Sequence, residues 1–256
     1  MDVLTKIMTE RKAAVLNARA AVSEDKLQEA AALRVHHSLV DRLRSATATS
    51  IIAEVKKASP SAGVLRADYD PAGIAAGYAD VGAVGISVLT EPNHFQGCEE
   101  HLRAVRAAVD VPVLRKDFIC DVYQILEAAA WGADAVLLIA AALDRQEMLL
   151  LYREALALGL DVLAEVHSPE ELERVIPLDQ AIIGVNNRNL QTLETSLDTA
   201  RRLSEQIPED RLRIAESGIK TRADILDLEQ FGYQGFLIGE SLLRDAAPEK
   251  ALRMLL

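Results

Sequence analysis

The chain has 256 residues, half of them apolar, with 39 acidic and 28 basic side chains and a formal charge of −11. This composition supports one large core and excludes a disordered or collagen-like chain, and the excess negative charge opposes non-specific binding to nucleic acid. Two cysteines, Cys98 and Cys120, are too few for a disulfide scaffold and lack the spacing of a metal knuckle, a usage that suits a reducing cytoplasm.

Along the first 47 residues no strand pattern occurs, but Leu4, Ile7, Met8 and Val15, then Leu33, Leu39, Val40 and Leu43, recur at helical spacing, predicting two helices. From residue 48 onward, runs rich in Val, Ile and Leu alternate with helical stretches eight times. The runs are Ile51–Lys56, Val84–Leu89, Pro112–Lys116, Ala135–Ala140, Val162–Val166, Ala181–Val185, Leu212–Ala215 and Gly235–Ile238. Helix starts punctuate the intervals: Asp70-Pro71, Asp144 with Glu147, Ser168-Pro169 with Glu171, and Thr221 with Asp224. Gly132, Gly159 and Gly232 fit helix ends.

Eight such units, with no Gly-x-Gly-x-x-Gly after the first strand, predict an α/β fold, a closed (βα)8 TIM barrel, rather than an open dinucleotide-binding sheet. The expected organisation is a helical extension over residues 1–47 packed on a barrel domain over 48–256. The longest apolar run, Ala135 to Leu143, is about half of what a membrane span requires, and no membrane partner is expected.

In such a barrel the site lies at the carboxyl ends of the strands, so polar residues that finish apolar runs are informative. The first strand ends with Glu54 and Lys56, two apart and hence on one face; the third ends with Lys116, the fifth contains Glu165, the sixth leads to Asn186 and Arg188, and the seventh ends with Glu216, Ser217 and Gly218. Any one of these alone reads as a solvated loop charge or structural ion pair. Their repetition in five units points to a charged pocket with its own counter-ions. Arg115 should face away from the pocket as a structural charge. Loops after the seventh and eighth strands, with Ser217-Gly218 and Gly239-Glu240-Ser241, suit an anion held by backbone N–H groups. Phe95 and Phe118 fall in loops where a flat apolar group could stack; Trp131 reads as a helix-packing residue and His167 as equally a helix-entry residue or a catalyst.

Several of these segments together resemble one family. Ile-Ile-Ala-Glu-Val-Lys-Lys-Ala-Ser-Pro-Ser (51–61), Leu-Thr-Glu-Pro-Asn-His-Phe-Gln-Gly (89–97), Val-Leu-Arg-Lys-Asp-Phe (113–118), Gly-Val-Asn-Asn-Arg-Asn-Leu (184–190), Ala-Glu-Ser-Gly (215–218) and Leu-Ile-Gly-Glu-Ser-Leu (237–242) resemble, in order, those of indole-3-glycerol-phosphate synthases. The resemblance runs from about residue 50 to the end. Its helical preface is similar to the family's extension over the barrel mouth.

This resemblance implies a decarboxylating lyase of tryptophan biosynthesis. The substrate would be 1-(2-carboxyphenylamino)-1-deoxyribulose 5-phosphate, an anionic phosphosugar carrying an anthranilate ring. The products would be indole-3-glycerol phosphate, CO2 and water. It implies no cofactor and no metal, and leaves contact with other tryptophan-pathway enzymes open. By resemblance Lys116 is the general acid at the ketone, Glu165 acts in the dehydration, and Lys56 holds substrate carboxylate or takes part in proton transfer. Glu54, Asn186, Arg188, Glu216 and Ser217 match polar active-site positions; Ser59, Gly218, Gly239 and Glu240 match the phosphate region; Phe95, Phe118, Pro60 and Leu137 would line the ring pocket. Ala62 and Glu240 stand where many relatives carry other side chains, so the phosphate contact at Glu240 rests on its backbone.

Three rival readings are distinguishable. A phosphoribosylanthranilate isomerase needs a Cys near the end of the first strand, where this chain has Glu54 and Lys56. A class I aldolase would use Lys116 as a Schiff base, which requires a depressed pKa, whereas neighbouring carboxylates favour the ammonium. A catalytically silent barrel would bind an anionic metabolite without turning it over.

Overall fold

The computed structural model describes residues 3–189 and 192–256; Leu190, the last residue of the 184–190 motif, lies outside the described residues. Among the described residues, eight parallel strands close on themselves: β1 (Ser50–Val55), β2 (Gly85–Leu89), β3 (Val113–Lys116), β4 (Ala135–Ile139), β5 (Asp161–Val166), β6 (Ile182–Asn186), β7 (Arg213–Glu216) and β8 (Gly235–Ile238). Each pairs with its sequence neighbours, and β8 pairs with β1 through Ser50↔Gly235 to Ala53↔Ile238, which closes the barrel. This is the expected (βα)8 architecture, with strand limits within a residue or two of those predicted.

The strands read as nearly continuous apolar runs because both of their faces are covered. One face packs under the surrounding helices; the other fills the interior with Ile52, Leu114, Leu137, Leu163, Ile182, Ile214 and Leu237. Caps hold the helices where the sequence places them. Asp144 with Glu147 and Thr221 with Asp224 form complete reciprocal boxes at the starts of Arg145–Ala157 and Arg222–Gln230. At Pro169–Val175 the box is altered: Ser168 accepts from the Glu171 N–H, but the Glu171 carboxylate accepts from the His167 N–H, one residue earlier. Gly132, Gly159 and Gly232 all have positive φ just past helix ends.

Ahead of the barrel stand three helices rather than two, α1 (Val3–Ala21), α2 (Glu24–Ala32) and α3 (Leu39–Ser45). Leu33, expected on a buried helix face, is the residue that ends α2 and is 84% exposed. The break follows from Arg34, whose guanidinium donates to the carbonyls of Ala133, Leu158 and Gly159 and so draws the chain out of helix. The preface also does not sit wholly over the mouth. α1 reaches the carboxyl rim, where Arg11 pairs with Asp117 and Glu10 with His94. α3 closes the opposite end, its Leu39 and Leu43 joining the interior cluster.

That floor is specific. Gly235 opens β8 where a Cβ would stand 2.9 Å from Ile214 Cγ2 and 3.0 Å from Leu43 Cδ2, so a side chain there would force Ile214 and Leu43 to shift. Asp161, at the start of β5, accepts from the N–H groups of Leu39 and Val40 at 2.6 and 3.0 Å and from the Ser38 hydroxyl at 3.1 Å. It thereby satisfies the free donors of the first turn of α3. Asp161→Ala is expected to lower stability by about 1–2 kcal/mol, the scale of a lost cap, while leaving catalysis unchanged. A denaturant titration checks this; a shift under about 0.3 kcal/mol would remove the capping argument.

A short ribbon, Ala58–Ser59 paired with Gly63–Val64, rises from the loop after β1 and was not signalled by the apolar pattern. Among the described residues no helix is long and apolar enough to cross a membrane.

Candidate active site

Side-chain alternation along the strands brings five polar residues into the carboxyl end of the barrel. Glu54, Lys116, Glu165, Asn186 and Glu216 line a cavity of about 620 Å³, together with Lys56, Arg188, Ser217, Gly218, Gly239 and Glu240. Its apolar wall is made of Leu89, Phe95, Phe118, Leu137, Ile139 and Leu237. A volume of this size suits a small ligand, and the division into polar floor and apolar wall suits one with two unlike ends.

Lys116 sits at the centre of the floor. Its ammonium lies 3.2 Å from Glu165 Oε2 and donates also to Glu216 Oε2. Burial opposes its charge, but Glu216, Glu165 and Glu54 together outweigh burial and raise its pKa above the ordinary lysine value. The ammonium is therefore retained throughout the physiological range, which disfavours a Schiff base.

The two carboxylates beside it are driven apart. Burial raises Glu216 to about 7, with the charges of Glu165 and Glu54 adding to it against the attraction of Lys116. Glu165 is buried as well, but Lys116, His167 and a hydrogen bond from Asn186 hold it below the usual carboxylate value. The Asn186 amide is oriented for this because its carbonyl oxygen accepts from the Arg188 N–H at 3.0 Å. Separated carboxyl pKa values in one pocket are the usual mark of distinct acid and base roles. Gly184 on β6 is required for this packing, since a Cβ there would lie 2.3 Å from Glu216 Oε1.

Cations gather on the rim between β1, β6 and β8. Lys56 donates to Glu54 at 2.6 Å. Arg188 reaches Ser61 Oγ at 3.1 Å and Glu240 Oε2 at 3.2 Å, and Glu240 is held again by Arg244 at 2.9 Å. The side chain of Glu240 is thus directed to two arginines and its backbone opens a short helix, Glu240–Leu243. Ser217 adopts φ 62°, an uncommon conformation for a residue with a side chain, and is followed by Gly218 at φ 80°. Asn187 holds this corner, donating from its amide to the carbonyls of Glu216 and Ser217 at 3.0 and 3.2 Å.

Fourteen of the sixteen residues expected from the sequence line the cavity; Ser59 and Pro60 do not. After Lys56 the chain turns away into the ribbon, where Ser59 is buried and accepts from the Ala62 N–H at 3.2 Å while Pro60 is exposed. Lys220 and Arg244, not among the residues expected from the sequence, also line the mouth. Lys220 was findable, two residues beyond Gly218; Arg244 was not, since its position depends on the turn after β8. Phe95 and Phe118 meet as expected, with ring centroids 5.9 Å apart. Phe95 is presented by a loop wound around Glu91, whose buried carboxylate accepts from the N–H groups of Asn93, His94 and Phe95. Among the described residues no group of three His, Cys, Asp or Glu is arranged to hold a metal ion.

Arg115 faces outward from the barrel, as its parity requires, and is a fully buried structural charge. It donates to Asp117, Glu127, Thr90 and the Gln124 carbonyl and lies 4.0 Å over the Trp131 ring.

Comparison with known proteins agrees with this geometry. The family model described as indole-3-glycerol phosphate synthase matches residues 4–255. The indole-3-glycerol phosphate synthase of Azospirillum brasilense is 43% identical over 259 aligned residues, covering 100% of this chain and 99% of the relative. That of Rhodopirellula baltica is 45% identical over 245, covering 95% of each. Among solved structures, the thiamine phosphate pyrophosphorylase of Pyrococcus furiosus superposes with a TM-score of 0.61 at 16% identity, over 85% of this chain and 96% of that one. The tryptophan synthase alpha chain of Legionella pneumophila gives 0.61 at 14%, over 90% and 95%. These two likenesses concern the fold alone.

Proposed function

This chain belongs to the indole-3-glycerol phosphate synthase family, a family of decarboxylating lyases of tryptophan biosynthesis, and we propose how its own residues carry that reaction. The substrate is 1-(2-carboxyphenylamino)-1-deoxyribulose 5-phosphate and the products are indole-3-glycerol phosphate, CO2 and water. The observation that carries the reading is Lys116, a buried ammonium shared by Glu165 and Glu216 beneath an apolar wall.

Attack of the ring carbon on the ketone places charge on the ketone oxygen, which the Lys116 ammonium stabilises and protonates. Loss of the carboxylate as CO2 restores the aromatic ring, its bonding electrons passing toward the ring nitrogen. Dehydration then requires a proton on the departing hydroxyl and a base for the adjacent carbon. Glu165, on the strand across the floor from Lys116, serves there. Glu216 and Glu54 keep Lys116 charged, and Asn186 orients Glu165. The anthranilate ring lies against Phe95, Phe118 and Leu137. The phosphate takes the backbone of Gly218, Gly239 and Glu240 with Arg188, and Lys56 leaves Glu54 to meet the substrate carboxylate. Ser217 borders the phosphate corner. We assign the enzyme to the cytoplasm, where the free thiols of Cys98 and Cys120 would persist.

The reading is tested by incubating the chain with that substrate and following indole fluorescence and CO2 release together. Both signals are expected to rise in step. Substrate binding without either product would leave a metabolite-binding barrel in place of an enzyme.

A further inference from the structure

Lys116 accounts for the pocket side of Glu165, but the carboxylate has a second oxygen turned the other way. Glu165 Oε1 lies 3.4 Å from Nε2 of His167, two residues further along the chain. The same imidazole is held from behind: its Nδ1 is 3.1 Å from Glu171 Oε2, which also accepts from the His167 backbone N–H at 2.7 Å. Both side chains are largely enclosed, His167 with 12% and Glu171 with 15% exposure. Nε2 is buried and makes no hydrogen bond, to Glu165 or to any other group, so 3.4 Å from Glu165 Oε1 it is an unpartnered polar atom beside that carboxylate.

The stoichiometry of the reaction gives this arrangement a task. Starting from the carboxylate form of the substrate, loss of CO2 and of water consumes one proton. Lys116 gives a proton to the ketone oxygen, a second proton leaves with the hydroxyl as water, and one returns from the carbon that becomes part of the indole double bond. The pocket therefore ends each turnover one proton short.

We propose that His167 is a positioning residue that stores this proton behind Glu165, an assignment that rests on the reaction given above. In the step, the Nε2–H bond of the imidazolium breaks and an O–H bond forms on Glu165. The ring is left neutral with Nδ1–H directed to Glu171, so the tautomer is fixed and Nε2 is the atom that recovers a proton by way of Glu165 after product departs. The charged groups facing the ring are Glu165 on its own strand, Glu171 on the following helix and Glu216 across the barrel, with Lys116 beyond Glu165. Burial disfavours the imidazolium, but the Glu171 hydrogen bond and these carboxylates outweigh it and raise the His167 pKa above its ordinary value.

The stored proton must be present when turnover begins, so kcat should fall as pH rises through the His167 titration. His167→Gln keeps a hydrogen-bond donor without a titratable proton. It is expected to lower kcat by about 10²-fold, leave KM unchanged and remove the alkaline limb of the kcat profile. In the wild-type chain, NMR titration of the imidazole should place its midpoint above about 6.5, and Glu171→Gln should lower that midpoint and move the kcat limb with it. An unchanged pH profile in His167→Gln, whatever its rate, overturns the storage role, and so does a wild-type midpoint at or below about 6.5. A wild-type chain that makes no product overturns the assigned reaction and this role with it; an active wild type with a normal His167→Gln variant overturns the role alone.

Discussion

Lys116→Ala is expected to reduce turnover by about 10²–10⁴-fold, the range of a positioned general acid, or about 3–5 kcal/mol of barrier. The effect should fall on kcat, because the ammonium meets charge that develops on the ketone oxygen only as the ring closes. The fold should survive. Glu216, already raised to about 7 by burial, can hold a proton where the lysine stood, so the variant does not trap three bare carboxylates in the barrel. Steady-state assays together with circular dichroism would show both results, and near-normal turnover would end the general-acid assignment. Borohydride treatment of the wild type with substrate should trap no adduct, since a lysine whose pKa is raised is a poor nucleophile.

The largest loss of stability is expected at the neighbouring residue. Arg115→Ala should cost about 3–5 kcal/mol, because removing it takes the cation from buried Glu127 and leaves buried Asp117 with Arg11 alone. Asp117 and Glu127 would lose their shared guanidinium, and Trp131 the group that covers its ring. For a chain of this size such a loss lowers Tm by about 6–20 °C. Arg115→Lys should recover little, because a single ammonium cannot reproduce bonds to two carboxylates, a hydroxyl and a carbonyl. The acid side carries a second signature. Burial works against ionised Asp117, but Arg115, Arg11, Thr90 and the Phe118 N–H hold its pKa below the ordinary aspartate value. That stabilisation is complete above about pH 4 and disappears as pH falls through the native pKa. Removing Arg115 raises the native value, so acid unfolding of the variant should begin at higher pH. Thermal melts across an acid series check both, and a loss under about 1 kcal/mol at neutral pH would remove the network argument.

The sequence revealed the barrel because every strand is covered on both faces and reads as an apolar run between turn signals. It revealed the floor of the site for a related reason: alternation assigns a face to each residue once the strand is located, so Glu54 and Lys116 could be directed inward and Arg115 outward. Parity does not report burial. Whether Arg115 met water or a helix depended on where Trp131 and Glu127 came to lie. Contacts between distant segments were likewise not legible, among them Arg11 with Asp117 and Asp161 with the start of α3. Ser59 and Pro60 fall outside the cavity lining because a motif gives the order of residues and not the path of a loop. His167 remained ambiguous, since its approach to Glu165 depends on Glu171 reaching past the cap it was expected to complete.

The floor plug constrains how the chain comes together in time. Leu39 and Leu43 emerge early from the ribosome, yet their interior neighbours include Leu163, Ile182 and Ile214, and the recess they fill is bounded by Gly235 at the far end of the chain. The barrel itself cannot close until β8 meets β1. Through most of synthesis α3 must therefore wait with its apolar side uncovered, and its docking belongs to a late, high-contact-order event. Nascent chains halted before residue 235 should bind hydrophobic probes and holdase chaperones through this short helix, and lose that affinity once the last strand is released.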